Sequence, residues 1–135
     1  MHFLYINSAD KNNSFVALLN ADGLVKKLDI NNSIGLNEQL LFLIDSLLIS
    51  SDLSVEHIKV VAVNNSGGTF SSLRGAIVTA NSLAYSLKIP IVAVDKNQSL
   101  ADVIKICLLQ TNGEFQAVFP VYDREPNITT PKASE

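Results

Sequence analysis

Between Ile58 and Leu87 the chain reads IKVVAVNNSGGTFSSLRGAIVTANSLAYSL: a β-branched run, a turn with two glycines, then a long amphipathic segment. Ile58, Val60, Val61 and Val63 leave almost no polar alternation, the pattern of a strand covered on both faces in a layered α/β domain. Gly67 and Gly68 permit positive φ in the turn, and the Thr69 hydroxyl stands where it can cap a helix beginning near Phe70. On a helix of 3.6 residues per turn, Phe70, Leu73, Ile77, Ala80, Ala84 and Leu87 share one face, which is expected to pack on the sheet. Ser72, Thr79, Ser82 and Ser86 lie away from it, and Arg74, Val78 and Tyr85 form a smaller mixed stripe between.

The remaining segments fit around this unit. Phe3 to Ile6 and Phe15 to Asn20 read as strands separated by a polar run, and Ala21-Asp22-Gly23 is a hairpin turn into a half-buried strand from Leu24 to Ile30. Leu36, Leu40, Leu43, Ile44, Leu47 and Leu48 mark a helix of about four turns with a broad apolar face. Ser54 is placed to cap a short turn over Val55 to His57. Ile89 to Val94 is a further buried strand with Pro90 at its entry, where no ladder bond is lost. Asn97 or Ser99 starts a helix through Leu109, and Asn112-Gly113 turns the chain into Phe115 to Phe119. Three of the four prolines lie from Pro120 onward, so residues 120–135 read as an extended or disordered tail on a folded unit of residues 1–119.

Three antiparallel strands followed by helix, strand, helix, strand, helix is the order of a ribonuclease-H-like or actin-like (ASKHA) single lobe: an α/β fold with a mixed five-stranded sheet and helices on its faces. A flavodoxin-like doubly wound sheet is the alternative, but that fold places a helix directly after its first strand.

A chain of 135 residues, 47% hydrophobic, is long enough to close a core without disulfides or metal. Cys107 stands among Ile104, Ile106, Leu108 and Leu109, the setting of a small buried apolar residue, and a lone cysteine suits a reducing cytoplasm. There is no signal-peptide pattern, and no apolar run approaches the roughly 20 residues of a membrane span. Net charge is −3, and Lys26, Lys27, Lys59, Lys88, Lys96 and Lys105 are scattered, so direct nucleic-acid binding is not expected.

Residues with chemistry are few. Gly67, Gly68 and Thr69 ahead of a helix, with Arg74 in its first turns, could hold an anion through free N–H groups and the helix dipole. The glycines serve a plain tight turn equally well, since the loop lacks the lysine of a P-loop, and Arg74 fits a carboxylate pair as well as a ligand or partner. Asp10 reads as a solvated loop residue rather than a metal ligand. His2 and His57 are far apart in sequence and form no H-x-x-x-H pair, so no metal site and no cofactor are expected. No nucleophile has a base placed for it.

With these residues in view, the chain resembles the TsaB (YeaZ) family, which helps make threonylcarbamoyladenosine in transfer RNA. Ser66-Gly67-Gly68-Thr69-Phe70-Ser71-Ser72-Leu73-Arg74 is similar to the family's G-P-G-S-F-T-G-L-R. Thr79 to Ala84 resembles T-A-x-x-L-A, Leu87 to Val94 resembles L-x-I-P-L-V-G-V, and Glu38 to Leu48 with Ser54 to Val63 follows its first helix and second parallel strand. Pro120-Val121-Tyr122-Asp123-Arg124 is similar to the C-terminal P-x-Y-x-R-x-P. The chain departs where the family's first strand ends I-D-T-S: Ile6-Asn7-Ser8-Ala9 replaces a carboxylate by an amide and so loses a metal ligand. Gln110 leads almost directly to Pro120, so the expectation is a member shortened to one lobe by deletion of the second.

The resemblance implies a non-catalytic, cytoplasmic partner of a TsaD-type enzyme, with TsaE as a second candidate partner, pairing as a homodimer or heterodimer through first-lobe helices. The residues proposed for that contact are Phe42, Ile49, Val78 and Tyr85, because Phe42 and Ile49, like Val78 and Tyr85, repeat at seven-residue spacing away from the sheet-facing side. Ordinary scatter of surface apolar residues is the competing reading. Families of this kind also carry a glycoprotease label, for which the histidines offer no support. Two other functions remain open: an actin-like nucleotide phosphohydrolase, which would want aspartates where Asn7 and Asn64 stand, and a degenerate self-associating paralogue outside the pathway.

Overall fold

The computed structural model describes residues 1–8, 13–31, 35–67 and 70–121, with only the backbone given for Leu36, Asn37, Phe70 and Ser71. Asp10, Gly68, Thr69 and the tail from residue 122 lie outside the described residues. The elements are β1 (His2–Asn7), β2 (Phe15–Asn20), β3 (Gly23–Asp29), α1 (Leu36–Ser50), β4 (Ile58–Asn64), α2 (Phe70–Leu87), β5 (Ile91–Val94) and α3 (Leu100–Leu109), with a 3-10 turn at Val55–His57.

One sheet takes all five strands in the order β3-β2-β1-β4-β5. The hairpin strands run antiparallel, and β1, β4 and β5 run parallel, so β1 is the seam between the two halves. Parallel strands need a crossover connection, and α1 and α2 supply the two required. The central strands are buried on both faces, as the lack of polar alternation in β4 predicted.

Alternation along those strands divides the core in two. Leu4, Ile6, Val16, Leu18, Val61 and Val63 point to the layer of α1 and α2, where they meet Leu40, Ile44, Leu47, Leu73, Ile77, Ala80 and Ala84. Phe3, Tyr5, Ala17, Leu19, Val60 and Ala62 point the other way, onto Val103, Ile104 and Cys107 of α3. The β1–β4 register slips between His2 and Phe3, which pair with Ile58 and Val60. Lys59 is therefore the extra residue of a bulge, which is how Ile58 and Val60 come to face opposite layers. A similar slip in β3, where Leu24 and Lys26 oppose Leu19 and Leu18, leaves Val25 as the extra residue of an edge strand.

The ends are capped as the sequence suggested. Ser99 Oγ accepts the Asp102 N–H at 3.2 Å while an Asp102 carboxylate oxygen accepts the Ser99 N–H, a capping box that starts α3. Ahead of β4, His57 Nδ1 accepts the Ser54 N–H at 3.0 Å while the His57 N–H donates to the Ser54 carbonyl at 3.0 Å. Beyond α3 the chain follows no regular element from Gly113 to Val121, yet it is docked. Phe115 packs against the main core, Val118 is buried, and the Val121 N–H donates to the Asn65 carbonyl at 2.6 Å.

Candidate functional site

Open α/β sheets bind ligands outside the carboxyl ends of their parallel strands, and here that edge is formed by Asn7 and Ser8 leaving β1 and by Asn64 to Gly67 leaving β4. Asn64 is fully buried, and its carboxamide works in two directions: Oδ1 accepts the Ser8 N–H at 2.7 Å and Nδ2 donates to the Ser66 carbonyl at 2.9 Å. Asn7 Nδ2 donates to the Tyr5 hydroxyl at 3.1 Å, and the Tyr5 ring meets Phe15 edge-on. Burial pushes the Tyr5 phenol above its ordinary pKa, against the opposing pull of the Asn7 bond. Both asparagines that stand where a phosphohydrolase would want carboxylates thus hold hydrogen bonds of the scaffold.

Gly67 has φ +82°, a left-handed conformation that side chains resist, which accounts for a glycine at this turn. Arg74 is exposed on α2, one turn into the helix. The Ser8 hydroxyl is the one side-chain polar atom at this edge that is buried without a hydrogen-bond partner among the described residues. Of the anion-site residues proposed from sequence, Gly67 and Arg74 are described, while Gly68 and Thr69 lie outside the described residues.

The histidines come together at the opposite edge. His2 pairs with Ile58, the neighbour of His57. Burial, the amino terminus and the nearby His57, in that order, hold the His2 imidazole below its ordinary value. His57 Nδ1 accepts the Ser54 N–H at 3.0 Å, and no group of three metal-ligating side chains occurs among the described residues. Cys107 is buried among apolar side chains, and its thiol is pushed up to about 12, far from a reactive thiolate.

The outer surface of the α1–α2 layer carries several large apolar side chains. Phe42, Ile49, Val78 and Tyr85 are 69%, 69%, 60% and 70% exposed, and Leu41, which the spacing argument missed, is 64% exposed beside Phe42. Tyr85 also meets the Phe115 ring edge-on at 5.5 Å between centroids. All four residues read from the seven-residue spacing therefore point outward, on two helices that pack against one another on the same side of the sheet.

The family model for TsaD, tRNA N6-adenosine threonylcarbamoyltransferase, matches residues 33–122, more than half of the chain. The chain belongs to the TsaD family. Its fold is shared with YeaZ from Pseudomonas aeruginosa, at 23% identity and a TM-score of 0.58 over 70% of this chain and 42% of that one. A second solved structure, an uncharacterised protein with similarity to peptidase YeaZ from Pseudomonas aeruginosa, matches at 24% identity and a TM-score of 0.59 over 70% of this chain and 43% of the other. The actin-like, ribonuclease-H-like architecture read from the order of elements is thus the observed one, and the family seen in the motifs has the same fold. This TsaD-family chain spans less than half the length of the YeaZ structures it matches. No curated protein sequence matches it.

Proposed function

We propose that this TsaD-family chain is a non-catalytic, TsaB-like binding partner of a TsaD-type enzyme in threonylcarbamoyladenosine modification of transfer RNA. The observation that carries the reading is the exposure of large apolar side chains on α1 and α2, namely Phe42, Ile49, Val78 and Tyr85. Side chains of this size left in water on adjacent helices mark protein-interaction surfaces, since aromatic and large aliphatic residues dominate interface cores. The partner is a TsaD-type protein, with TsaE as a second candidate, and the contact is a helix-pair interface that also serves a homodimer. The setting is cytoplasmic, and no helix among the described residues is long and apolar enough to cross a membrane.

The non-catalytic part of the reading rests on the carboxyl edge. Asn7 and Asn64 are amides, and Asn64 is committed on both of its polar atoms, so among the described residues no carboxylate stands at the exit of β1 or β4 to hold a metal or activate water, and Asp95, at the exit of β5, is exposed and accepts the Asn97 N–H. The Ser8 hydroxyl, buried and without a partner among the described residues, favours the nucleotide phosphohydrolase as the second reading, because a bound phosphate would satisfy it.

Co-purification from the native host, with wild type beside Phe42→Glu/Val78→Glu, decides among these. The expected result is a TsaD-type protein that elutes with wild type and not with the variant, while circular dichroism and melting stay nearly unchanged. Self-association alone, lost in the same variant, favours the degenerate paralogue, and sustained ATP turnover by the isolated chain overturns the non-catalytic reading.

A further inference from the structure

The segment from Gly113 to Val121 lies along α2 and is held at three points. At one end the Phe115 ring packs on the core and meets Tyr85 edge-on. In the middle, the Asn81 carboxamide holds the main chain of Val118 twice, with Nδ2 donating to the Val118 carbonyl at 2.8 Å and Oδ1 accepting its N–H at 2.9 Å. At the far end the Val121 N–H donates to the Asn65 carbonyl at 2.6 Å, and Asn65 Nδ2 donates to the Phe119 carbonyl at 3.4 Å.

Each point lies on a different feature. Tyr85 belongs to the outward apolar face of α2. Asn65 directly follows Asn64, whose side chain holds Ser8, and the Asn65 N–H bonds to the Val94 carbonyl at the end of β5. The strap thus touches the helix face at one end and the carboxyl edge of the sheet, ahead of Gly67, at the other. It makes no regular ladder or helix that would fix it independently of these contacts. Such a segment opens as a unit when its anchors loosen, and the amides it covers exchange with it.

We propose that residues 113–121 are a coupling strap, through which whatever packs on Tyr85 sets the order of the loop Asn65–Gly67 at the carboxyl edge of the sheet. A partner seated on the α1–α2 face covers the same aromatic ring that steadies Phe115, so it tightens or pulls the strap and shifts the latch at Asn65. This role for a partner rests on the proposed interface; the mechanical link within the chain does not. Coupling of this kind is a population shift between a latched and an unlatched strap, and it acts in both directions.

Amide hydrogen exchange on the full chain tests the link without any partner. Phe115→Leu keeps an apolar side chain and removes the ring edge, whereas Asn81→Leu removes the carboxamide grip. Both are expected to speed exchange by about tenfold at Val118 and Val121 and also, more weakly, at Asn65 and Ser8, with the amides of β1 and β2 unchanged. Tyr85→Ala gives the same pattern at smaller amplitude. Faster exchange confined to residues 113–121, with Asn65 and Ser8 as in wild type, overturns the proposal. Should Asn81→Leu fail to fold, Phe115→Leu and Tyr85→Ala decide alone. Loss of partner association in Phe42→Glu bears on the interface and leaves the strap result standing, so the two readings fail separately.

Discussion

One buried side chain joins the exits of the two central parallel strands: Asn64 Oδ1 accepts the Ser8 N–H at 2.7 Å, and its Nδ2 reaches the Ser66 carbonyl at 2.9 Å. Compared with a carboxylate, only the carboxamide does both. A carboxylate accepts from Ser8 but meets the Ser66 carbonyl as a second acceptor, and its charge is taken fully out of water. Asn64→Asp is therefore expected to destabilise the fold by about 2 to 3 kcal/mol at neutral pH. The introduced carboxyl has its folded-state pKa raised by burial. Stability accordingly returns in part as pH falls through that value, where the protonated acid again donates to Ser66. Urea denaturation of wild type and variant at pH 7.5 and pH 5 reads both effects.

A second prediction comes from two residues in the left-handed region. Lys88, at φ 59°, ends α2 with its N–H on the Tyr85 carbonyl and the Ile89 N–H on the Ala84 carbonyl; Asp52, at φ 60°, does the same for α1 through Leu53 and Leu48. Glycine is the residue that adopts this cap without a Cβ penalty. Lys88→Gly should stabilise by about 0.5 to 1 kcal/mol, the strain relieved exceeding the extra flexibility given to the unfolded chain. A melting midpoint at or below that of wild type counts against it.

The third concerns acid. Burial first, then the amino terminus and His57, keep His2 from taking a proton as readily in the folded chain as in the unfolded one. Above its ordinary 6.5 both states are neutral there, and the residue gives no pH dependence. As pH falls through 6.5 toward the lower folded value, the unfolded chain takes the proton first, so stability drops. The melting midpoint of wild type should fall between pH 7.5 and pH 5 by more than that of His2→Gln; equal drops would assign the acid sensitivity elsewhere.

Cys107 supplies the fourth. Its thiol is buried against the α3 side of the sheet and pushed up to about 12 by burial alone. A disulfide reagent at pH 8 is expected to leave the native chain unlabelled over hours and to label it at once in denaturant. Fast native labelling would mean that α3 opens readily from the sheet.

Much of this architecture can be read from local pattern. The unalternating Val60, Val61 and Val63 mark a strand buried on both sides, and Ser99 with Asp102 announces a helix start, because both signals lie within a few residues of one another. The outward Phe42, Ile49, Val78 and Tyr85 are likewise legible, since helical spacing alone separates them from the sheet-facing side. What could not be read is pairing over long separations. Asn81 sits on a helix among serines and small residues and looks like surface, yet its partner is Val118, 37 residues on. Asn64 resembles a lost carboxylate until Ser8, 56 residues earlier, is seen at its Oδ1. The bulges at Lys59 and Val25 also escape pattern reading, because one extra residue changes which face follows without changing composition.

The last prediction uses the strap to locate where the folded unit ends. Phe115 packs on the main core and Val118 is buried, whereas Phe119 is exposed and the chain beyond it contributes the Val121 bond to Asn65. Ending the chain after Phe119 removes that one hydrogen bond, whose net worth is about 1 kcal/mol. Ending it after Asn112 removes Phe115 and Val118, leaves the Asn81 carboxamide without its double partner, and uncovers the flank of α2. Burial of one aromatic and one aliphatic side chain makes that second loss about 3 to 5 kcal/mol. Thermal melts of the two truncations beside the full chain should therefore show a shift of a few degrees for the first and a large one, or loss of cooperative unfolding, for the second. A large drop already at the first truncation would place residues beyond Phe119 within the folded unit, and equal, small shifts would mean that the strap stabilises nothing.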